Sequence, residues 1–187
     1  MKIHFIRHAK TIGNLKMQYI GKTDQDIIPF SASKPYPKAE LVFSSSLKRT
    51  SQTARIIYKD ELIIPIPKLN ECDFGDFEGK SYDELRDNKS YQEYISSNGK
   101  VSCPNGESIS QFKNRCLEGF FEAVEIAKSK NAEEIAIVCH GGTIMAIFEE
   151  LASVKDFYFW QIKNLDYISS SYDFKAKALY DINRKED

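Results

Sequence analysis

Three short apolar runs, each closing on a cluster of polar residues, constrain this chain more than any other feature. Residues 2–6 (KIHFI) run into Arg7-His8, residues 40–44 (ELVFS) into Ser44-Ser45-Ser46, and residues 135–139 (IAIVC) into His140-Gly141-Gly142. Short, continuously apolar segments bounded by polar turns suit strands that are covered on both faces, as in a parallel sheet. Helical periodicity follows two of them. Leu47, Ala54, Ile57 and Tyr58 mark a helix over residues 46–59, and Ile144, Ile147, Phe148 and Leu151 share one face of residues 143–152. Capping boxes announce two more helices. Ser81 with Glu84 opens residues 82–87, and Ser108 with Gln111 opens a long helix in which Ile109, Phe112, Cys116, Leu117, Phe120 and Val124 recur at helical spacing. The tail, residues 167–174 and 177–182, reads as paired strands. Between Asp24 and Lys38, Pro29, Pro35 and Pro37 oppose a helix and predict a loop or extended connection. Strands alternating with helices predict a layered α/β fold, and the length fits one domain over residues 1–187.

Charge and cysteine content narrow the setting. Lys and Arg number 26 against 27 Asp and Glu, so no global basic footprint for nucleic acid exists, and any anionic ligand must be held by a local cluster. The start, MKIHFIRHAK, is too short an apolar run for a secretory signal, and no stretch reaches the roughly 20 apolar residues of a membrane span. Cys72, Cys103, Cys116 and Cys139 match no zinc or redox spacing. The expectation is a cytoplasmic protein with reduced core thiols.

In open α/β sheets, ligands sit beyond the carboxyl ends of the strands. The first strand end carries Arg7, His8 and Thr11. The second carries the serines and, one turn into its helix, Arg49. The third carries His140 and two glycines opening a helix. Two arginine forks match phosphate oxygens in bidentate fashion, and a helix N-terminus adds N–H donors and a favourable dipole. Together they describe a phosphate pocket. A neutral imidazole there can attack phosphorus and form a covalent phosphoenzyme, and the transfer needs little beyond positioning and charge stabilisation. The arginines can neutralise the oxygens without a metal, and no carboxylate cluster is spaced for magnesium. The leaving oxygen needs a proton, and residues 69–79 (LNECDFGDFEG) supply four candidate acids: Glu71, Asp73, Asp76 and Glu78. A different nucleophile, Cys139 with His140 as base, is disfavoured because neighbouring strand residues point to opposite faces. By the same alternation, His4 is expected to be structural. Tyr19, Phe74 and Phe77 serve either as core or as a substrate wall, and Trp160 as packing.

These stretches, in this order, resemble the histidine phosphatase superfamily, the phosphoglycerate-mutase-like group. Ile6-Arg7-His8-Ala9-Lys10-Thr11 with Gly13-Asn14 is similar to the family's Arg-His-Gly signature, and Tyr19-Ile20-Gly21-Lys22-Thr23-Asp24 to its substrate loop. Phe43 through Arg49, then Gln52-Thr53-Ala54, is similar to the second-arginine motif, and Leu69-Asn70-Glu71 through Glu78-Gly79 to the acid motif. Pro104 through Ser108 and Val138 through Gly142 complete the set. The resemblance implies a three-layer sandwich, with a mixed, mostly parallel central sheet flanked by helices, and no cofactor. It implies His8 as nucleophile, Glu71 as proton donor, and Arg7, Arg49 and His140 as holders of the phosphoryl group. Asn14, Thr11, Gly21 and Gly141 would add phosphate or substrate contacts. The expected partner is a small phosphate ester. Asp73 through Leu85 draws the chain toward the α-ribazole phosphatase branch of cobalamin assembly, and its shortness away from the mutases.

The chain departs from the family pattern in three places. Ala9 stands for the signature glycine, and at a positive φ its methyl would cost about 1 kcal/mol or more. Cys139 replaces a serine often found there. The Pro-rich segment from Asp24 to Lys38 stands where the family has a helix. Ala9 and the altered loop motivate one alternative to a phosphatase, a non-catalytic phosphate-binding regulatory module, and the family resemblance itself leaves a second, a phosphoglycerate-mutase-type phosphotransferase.

Overall fold

A computed structural model describes residues 1–32, 35–97 and 101–185. Its strands are β1 (Lys2–Arg7), β2 (Leu41–Ser44), β3 (Ile63–Pro65), β4 (Glu134–Cys139), β5 (Tyr167–Asp173) and β6 (Ala178–Lys185). Its α-helices are α1 (Ile12–Leu15), α2 (Lys48–Ile57), α3 (Tyr82–Leu85), α4 (Lys89–Ser96), α5 (Ile109–Ser129) and α6 (Gly141–Leu151). The six strands form one sheet in the order β3-β2-β4-β1-β5-β6. The first four lie parallel to their neighbours, and β5 and β6 join antiparallel. The expected mixed, mostly parallel sheet between helices is therefore the observed one.

Strand alternation explains the layering. Ile3 and Phe5 of β1, Phe43 of β2, and Ile135, Ile137 and Cys139 of β4 enter one apolar cluster with Phe112, Cys116 and Phe120 of α5 and Ile144, Ile147 and Phe148 of α6. Ile6, Val42, Ala136 and Val138 face the other way, onto Ala54 and Tyr58 at the end of α2. Cys139 therefore points into the core, its thiol pushed well above the ordinary value by burial, which removes it as a nucleophile beside His140. Within the sheet, His4 is buried between Ser169 and Glu134, at 2.8 Å from each, a structural role as expected. All four cysteines are free and buried. Among the described residues, no helix is long and apolar enough to cross a membrane.

Helix ends depart from the sequence reading by one or two residues where caps intervene. Helix α6 begins at Gly141, with His140 as an extended cap residue, so both glycines lie in its first turn. Helix α5 opens at Ser108, whose hydroxyl accepts from the Gln111 N–H while Gln111 reaches back, completing the capping box. Three elements escaped the sequence reading. Strand β3 has three residues and ends in Pro65, tolerable because it lies at the sheet edge. Helix α1 has a single turn, and α4 buries only Tyr91. The described parts of the Pro-rich connection form no helix, and side chains tie them down. Asp24 accepts from the Lys48 N–H, Gln52 bonds Asp26 and the Ile27 N–H, and the Tyr58 hydroxyl donates to the Pro37 carbonyl. Phe77 is core, in a satellite cluster with Leu85, Tyr91 and Cys103, and Tyr19 and Phe74, half-buried, pack against it. Trp160 packs on Phe148, ring centroids 4.9 Å apart.

Candidate active site

Strands β1 and β4 are hydrogen-bonded neighbours running in parallel, with Arg7 registered opposite Cys139. The residues that follow, His8 and His140, are therefore delivered to the same edge of the sheet. Their rings meet at 5.1 Å between centroids, inclined by 64°. His8 Nδ1 lies 2.7 Å from the Ala9 carbonyl oxygen. A carbonyl can only accept, so Nδ1 carries the proton and Nε2 is left with its lone pair free. Burial, and then Arg49 and Arg7, press the His8 pKa down to about 3, which keeps the ring neutral. Ala9 does not have a positive φ. The anticipated strain at this position is absent, because its N–H donates to Thr53 Oγ1 at 2.9 Å and its carbonyl serves His8 in ordinary backbone geometry.

His140 is the opposite tautomer. Arg49 Nε donates to its Nδ1 at 3.2 Å, so Nε2 carries the proton and donates to Ser45 Oγ at 2.8 Å. Burial, followed by Arg49 and His8, holds its pKa well below the ordinary value. Arg49 has no solvent exposure. Its guanidinium also donates to the carbonyls of Thr23 (2.9 Å) and Gly21 (2.7 Å), so the substrate-loop backbone sets its plane. Arg7 donates through Nη1 to the Ile162 carbonyl at 2.6 Å, while its Nε is a buried donor with no partner among the described residues. A Cβ on Gly141 would come within 3.3 Å of Arg7 Nε and Cζ, so glycine there lets the guanidinium lie against the start of α6.

The four candidate acids separate by their partners. Glu71 accepts from the N–H of Gly142 (3.0 Å) and of Cys72 (3.1 Å). Burial raises its pKa above the ordinary 4.5, opposed by those two N–H groups and by Arg49 and Arg7. A Cβ on Gly142 would sit 2.3 Å from Glu71 Oε1, so the second glycine makes room for the carboxyl. Glu78 instead accepts from the N–H groups of Gly21 (2.9 Å), Lys22 (2.9 Å), Phe74 (3.2 Å) and Thr23 (3.4 Å), and from Thr23 Oγ1 (2.7 Å). With five donors aimed at it, it is an acceptor and structural strut. Asp73 pairs with Lys22 at 2.9 Å and caps the Gly75 N–H. Asp76 is exposed and bonded to Asn105.

Of the expected substrate contacts, Thr11 and Asn14 cap α1 reciprocally, spending the Thr11 hydroxyl and the Asn14 amide oxygen. Gly21 donates its N–H to Glu78 and lends its carbonyl to Arg49, so it shapes the pocket by holding Arg49. A Cβ there would lie 1.7 Å from the Cys72 carbonyl oxygen, a close approach that requires glycine. Several supporting roles escaped the sequence reading: Ser45 under His140, Thr53 under Ala9, Asn164 donating to the His8 carbonyl at 2.9 Å, and Glu78, read there only as a candidate acid, gathering the N–H groups of residues 21–23. Ser45 and Thr53 lay inside recognised stretches. Asn164 comes from far along the chain and carries no local signal. Among the described residues, no group of three or more His, Cys, Asp or Glu side chains could hold a metal ion.

Beside Glu71 opens a cavity of about 430 Å³, bordered by Lys22, Asn70, Asp73, Asn105, Glu107 and Arg115, with Leu47 and Pro67 as its apolar members. The paired histidines and Arg7 and Arg49 lie outside this lining, so the cavity opens on the Glu71 side of their cluster.

Comparison with known proteins gives concordant results. The sequence model of the histidine phosphatase superfamily (branch 1) matches residues 3–183. The chain is 28% identical to the metal-independent phosphoserine phosphatase of Arabidopsis thaliana, over 79% of this chain and 67% of that one. It is 24% identical to the adenosylcobalamin/alpha-ribazole phosphatase of Escherichia coli (strain K12), over 87% and 85%. The crystal structure of the alpha-ribazole phosphatase from Shigella flexneri superposes with a TM-score of 0.79 at 21% identity, covering 96% of this chain and 95% of that one.

Proposed function

The chain belongs to the histidine phosphatase superfamily, branch 1, and from that premise we propose that it hydrolyses a small phosphomonoester, without a metal, through a phosphohistidine on His8. Membership and its phosphatase relatives make it a phosphoric monoester hydrolase. The mechanism rests on one observation above the rest: His8, hydrogen-bonded through Nδ1, presents an unprotonated Nε2 within a cluster of two arginines and a second histidine. Nε2 attacks phosphorus while the ester oxygen departs with the Glu71 proton. Water then attacks the phosphohistidine, with Glu71 as base, and returns His8 to its starting state. Arg7 and Arg49 neutralise the equatorial oxygens. For His140 to donate as well, Nδ1 must take up a proton, and the charge of the incoming dianion favours that. The family match over residues 3–183 supports reading residues 1–187 as one such unit.

Two leaving groups are proposed by similarity: α-ribazole, and serine as in the phosphoserine phosphatase relative. The cavity next to Glu71 favours the second. Among the described residues bordering it none is aromatic, while Lys22 and Asp73 bring both signs of charge and Glu107 and Arg115 are taken up by each other. A fused aromatic base finds no ring to stack on there, whereas a small zwitterion finds both signs of charge.

Rapid quench into alkali during turnover, followed by peptide analysis, is expected to place the phosphoryl group on the peptide containing Arg7-His8-Ala9, with excess chelator present throughout. Label on the Cys139-His140 peptide, or turnover restored only by magnesium or zinc, would overturn the mechanism. A panel of phosphoserine, α-ribazole 5′-phosphate, phosphoglycerates and sugar phosphates ranks the substrates. A higher kcat/KM for the ribazole ester, or net mutase activity on phosphoglycerate, would overturn the substrate reading.

A further inference from the structure

The acid side of the site contains a device that the catalytic assignment leaves unused. We propose that Arg115, held by Glu107, is a positioning residue that fixes the backbone carrying Glu71 and so sets the reach of its carboxyl group. The proposal rests on Glu71 being the proton donor.

Arg115 lies in the second turn of α5, and Glu107 just before the Ser108 cap. The guanidinium makes a two-point pair with the carboxylate, Nε to Oε1 at 2.9 Å and Nη2 to Oε2 at 2.7 Å. Its remaining donors go to backbone: Nη1 to the carbonyls of Lys68 (2.9 Å) and Asn70 (2.8 Å), and Nη2 to that of Glu71 (3.2 Å). Glu107 adds its own N–H to the Asp73 carbonyl at 2.9 Å. Carbonyls at 68, 70, 71 and 73 thus converge on one ion pair, and the residue at the centre of that run is the acid.

The arrangement is more than a fastening for α5. A helix-surface ion pair worth a few tenths of a kcal/mol uses a spacing of three or four residues. Glu107 and Arg115 are eight apart, and every further donor of Arg115 points at the acid segment. That segment belongs to no strand, so no sheet ladder fixes it. Only a planar fork with five donors can reach the carboxylate and three carbonyls together; a lysine ammonium has three donors radiating from one point. An acid displaced by a fraction of an ångström still sits in the pocket but loses its line to the departing oxygen.

The test compares leaving groups. Arg115→Lys and Glu107→Gln are assayed beside Glu71→Gln on p-nitrophenyl phosphate, whose leaving group needs no proton, and on phosphoserine, whose alkoxide does. General acid catalysis contributes roughly 10²–10⁴-fold. Arg115→Lys is therefore expected to lower kcat on phosphoserine about 10-fold or more while the nitrophenyl ester falls far less, and to move the alkaline limb of the phosphoserine pH profile. Glu107→Gln should act in the same direction more weakly. Placed on Glu71→Gln, Arg115→Lys should cost almost nothing further, because the two act as one unit. Equal losses on both esters, or full additivity in the double variant, would show a merely structural role and overturn the proposal. If Glu71→Gln itself shows no dependence on the leaving group, the acid assignment fails and the clamp fails with it. If Glu71→Gln shows it and Arg115→Lys does not, the clamp alone fails.

Discussion

His8 and His140 follow the ends of two parallel strands that are bonded to each other residue by residue, and Arg49 follows the end of a third. Glu71 sits on a segment that belongs to no strand and is held by an arginine fork, a threonine hydroxyl and two glycine-cleared approaches. The first group inherits its spacing from the sheet, where the distance between strands is fixed at about 4.8 Å. The second inherits its spacing from side-chain hydrogen bonds, each worth about 1 kcal/mol. Errors in the two regions should therefore look different. Damage to the strand-end group should fall on every ester alike. Damage to the loop group should depend on the leaving group.

The largest expected effect is at His8. His8→Ala removes the Nε2 lone pair and should abolish both the phosphoenzyme label and turnover on all esters; a variant that still turns over near the wild-type rate would refute the nucleophile. Next comes Arg49→Ala. It deletes a fully buried donor beside both histidines, and losing one preorganised donor costs roughly 3 kcal/mol, about 100-fold or more in kcat. The loss should be equal for nitrophenyl and alkyl esters. A strong dependence on leaving group would erase the distinction between the two regions.

Glu71→Gln should reverse that pattern, slowing phosphoserine far more than the nitrophenyl ester, a difference read directly in steady-state kinetics. Because burial raises the Glu71 pKa, wild-type activity on the poor leaving group should decline on the alkaline side as this proton is lost, and the decline should disappear in the variant. A smaller effect is expected from Glu78→Gln. This carboxylate gathers the N–H groups of residues 21–23, whose carbonyls hold Arg49, so kcat should fall by about 10-fold, less than for Arg49→Ala and equally on both esters. A leaving-group-dependent loss would make Glu78 part of the acid machinery instead.

The smallest effect concerns stability. The pKa values of His8, His140 and His4 are all lowered by burial. The unfolded chain takes up these protons near pH 6.5, while folded His8 resists until about pH 3. Stability from these groups is thus complete above pH 6.5 and lost as pH falls toward 3. Glu71, shifted upward, works in the opposite sense. Thermal melts should show Tm falling across this window, less steeply in His8→Asn. An identical slope in the variant would remove His8 from the balance.

How much of this was legible follows the same division. Apolar runs, polar strand ends and capping boxes carried every strand of the sheet but β3, four of the six described α-helices, and the gathering of Arg7, His8, Arg49 and His140, because local pattern dictates which residues end a strand. The choice among Glu71, Asp73, Asp76 and Glu78 was not legible from residue types. Four carboxylates within eight positions differ only in which N–H groups surround them, and those donors come from residues 21–23, 72, 74–75 and 142. Resemblance to a family selected Glu71; its packing against Gly142 gives a physical reason.

The sequence by itself determined that strands alternate with helices and that arginines and histidines stand at or just past the strand ends, because a twofold alternation and a 3.6-residue turn are written locally. Only the tertiary structure decided which histidine nitrogen is free. It also decided which carboxyl meets the start of α6, and that Ala9 rests unstrained. The carbonyl that fixes the His8 tautomer is that of its neighbour Ala9, but the others depend on a donor or acceptor brought from a distant part of the chain: Arg49 beside His140, Thr53 beside Ala9, Gly142 beside Glu71. The strength of a hydrogen bond is set by where its partner sits, and that position exists only once the layers have packed.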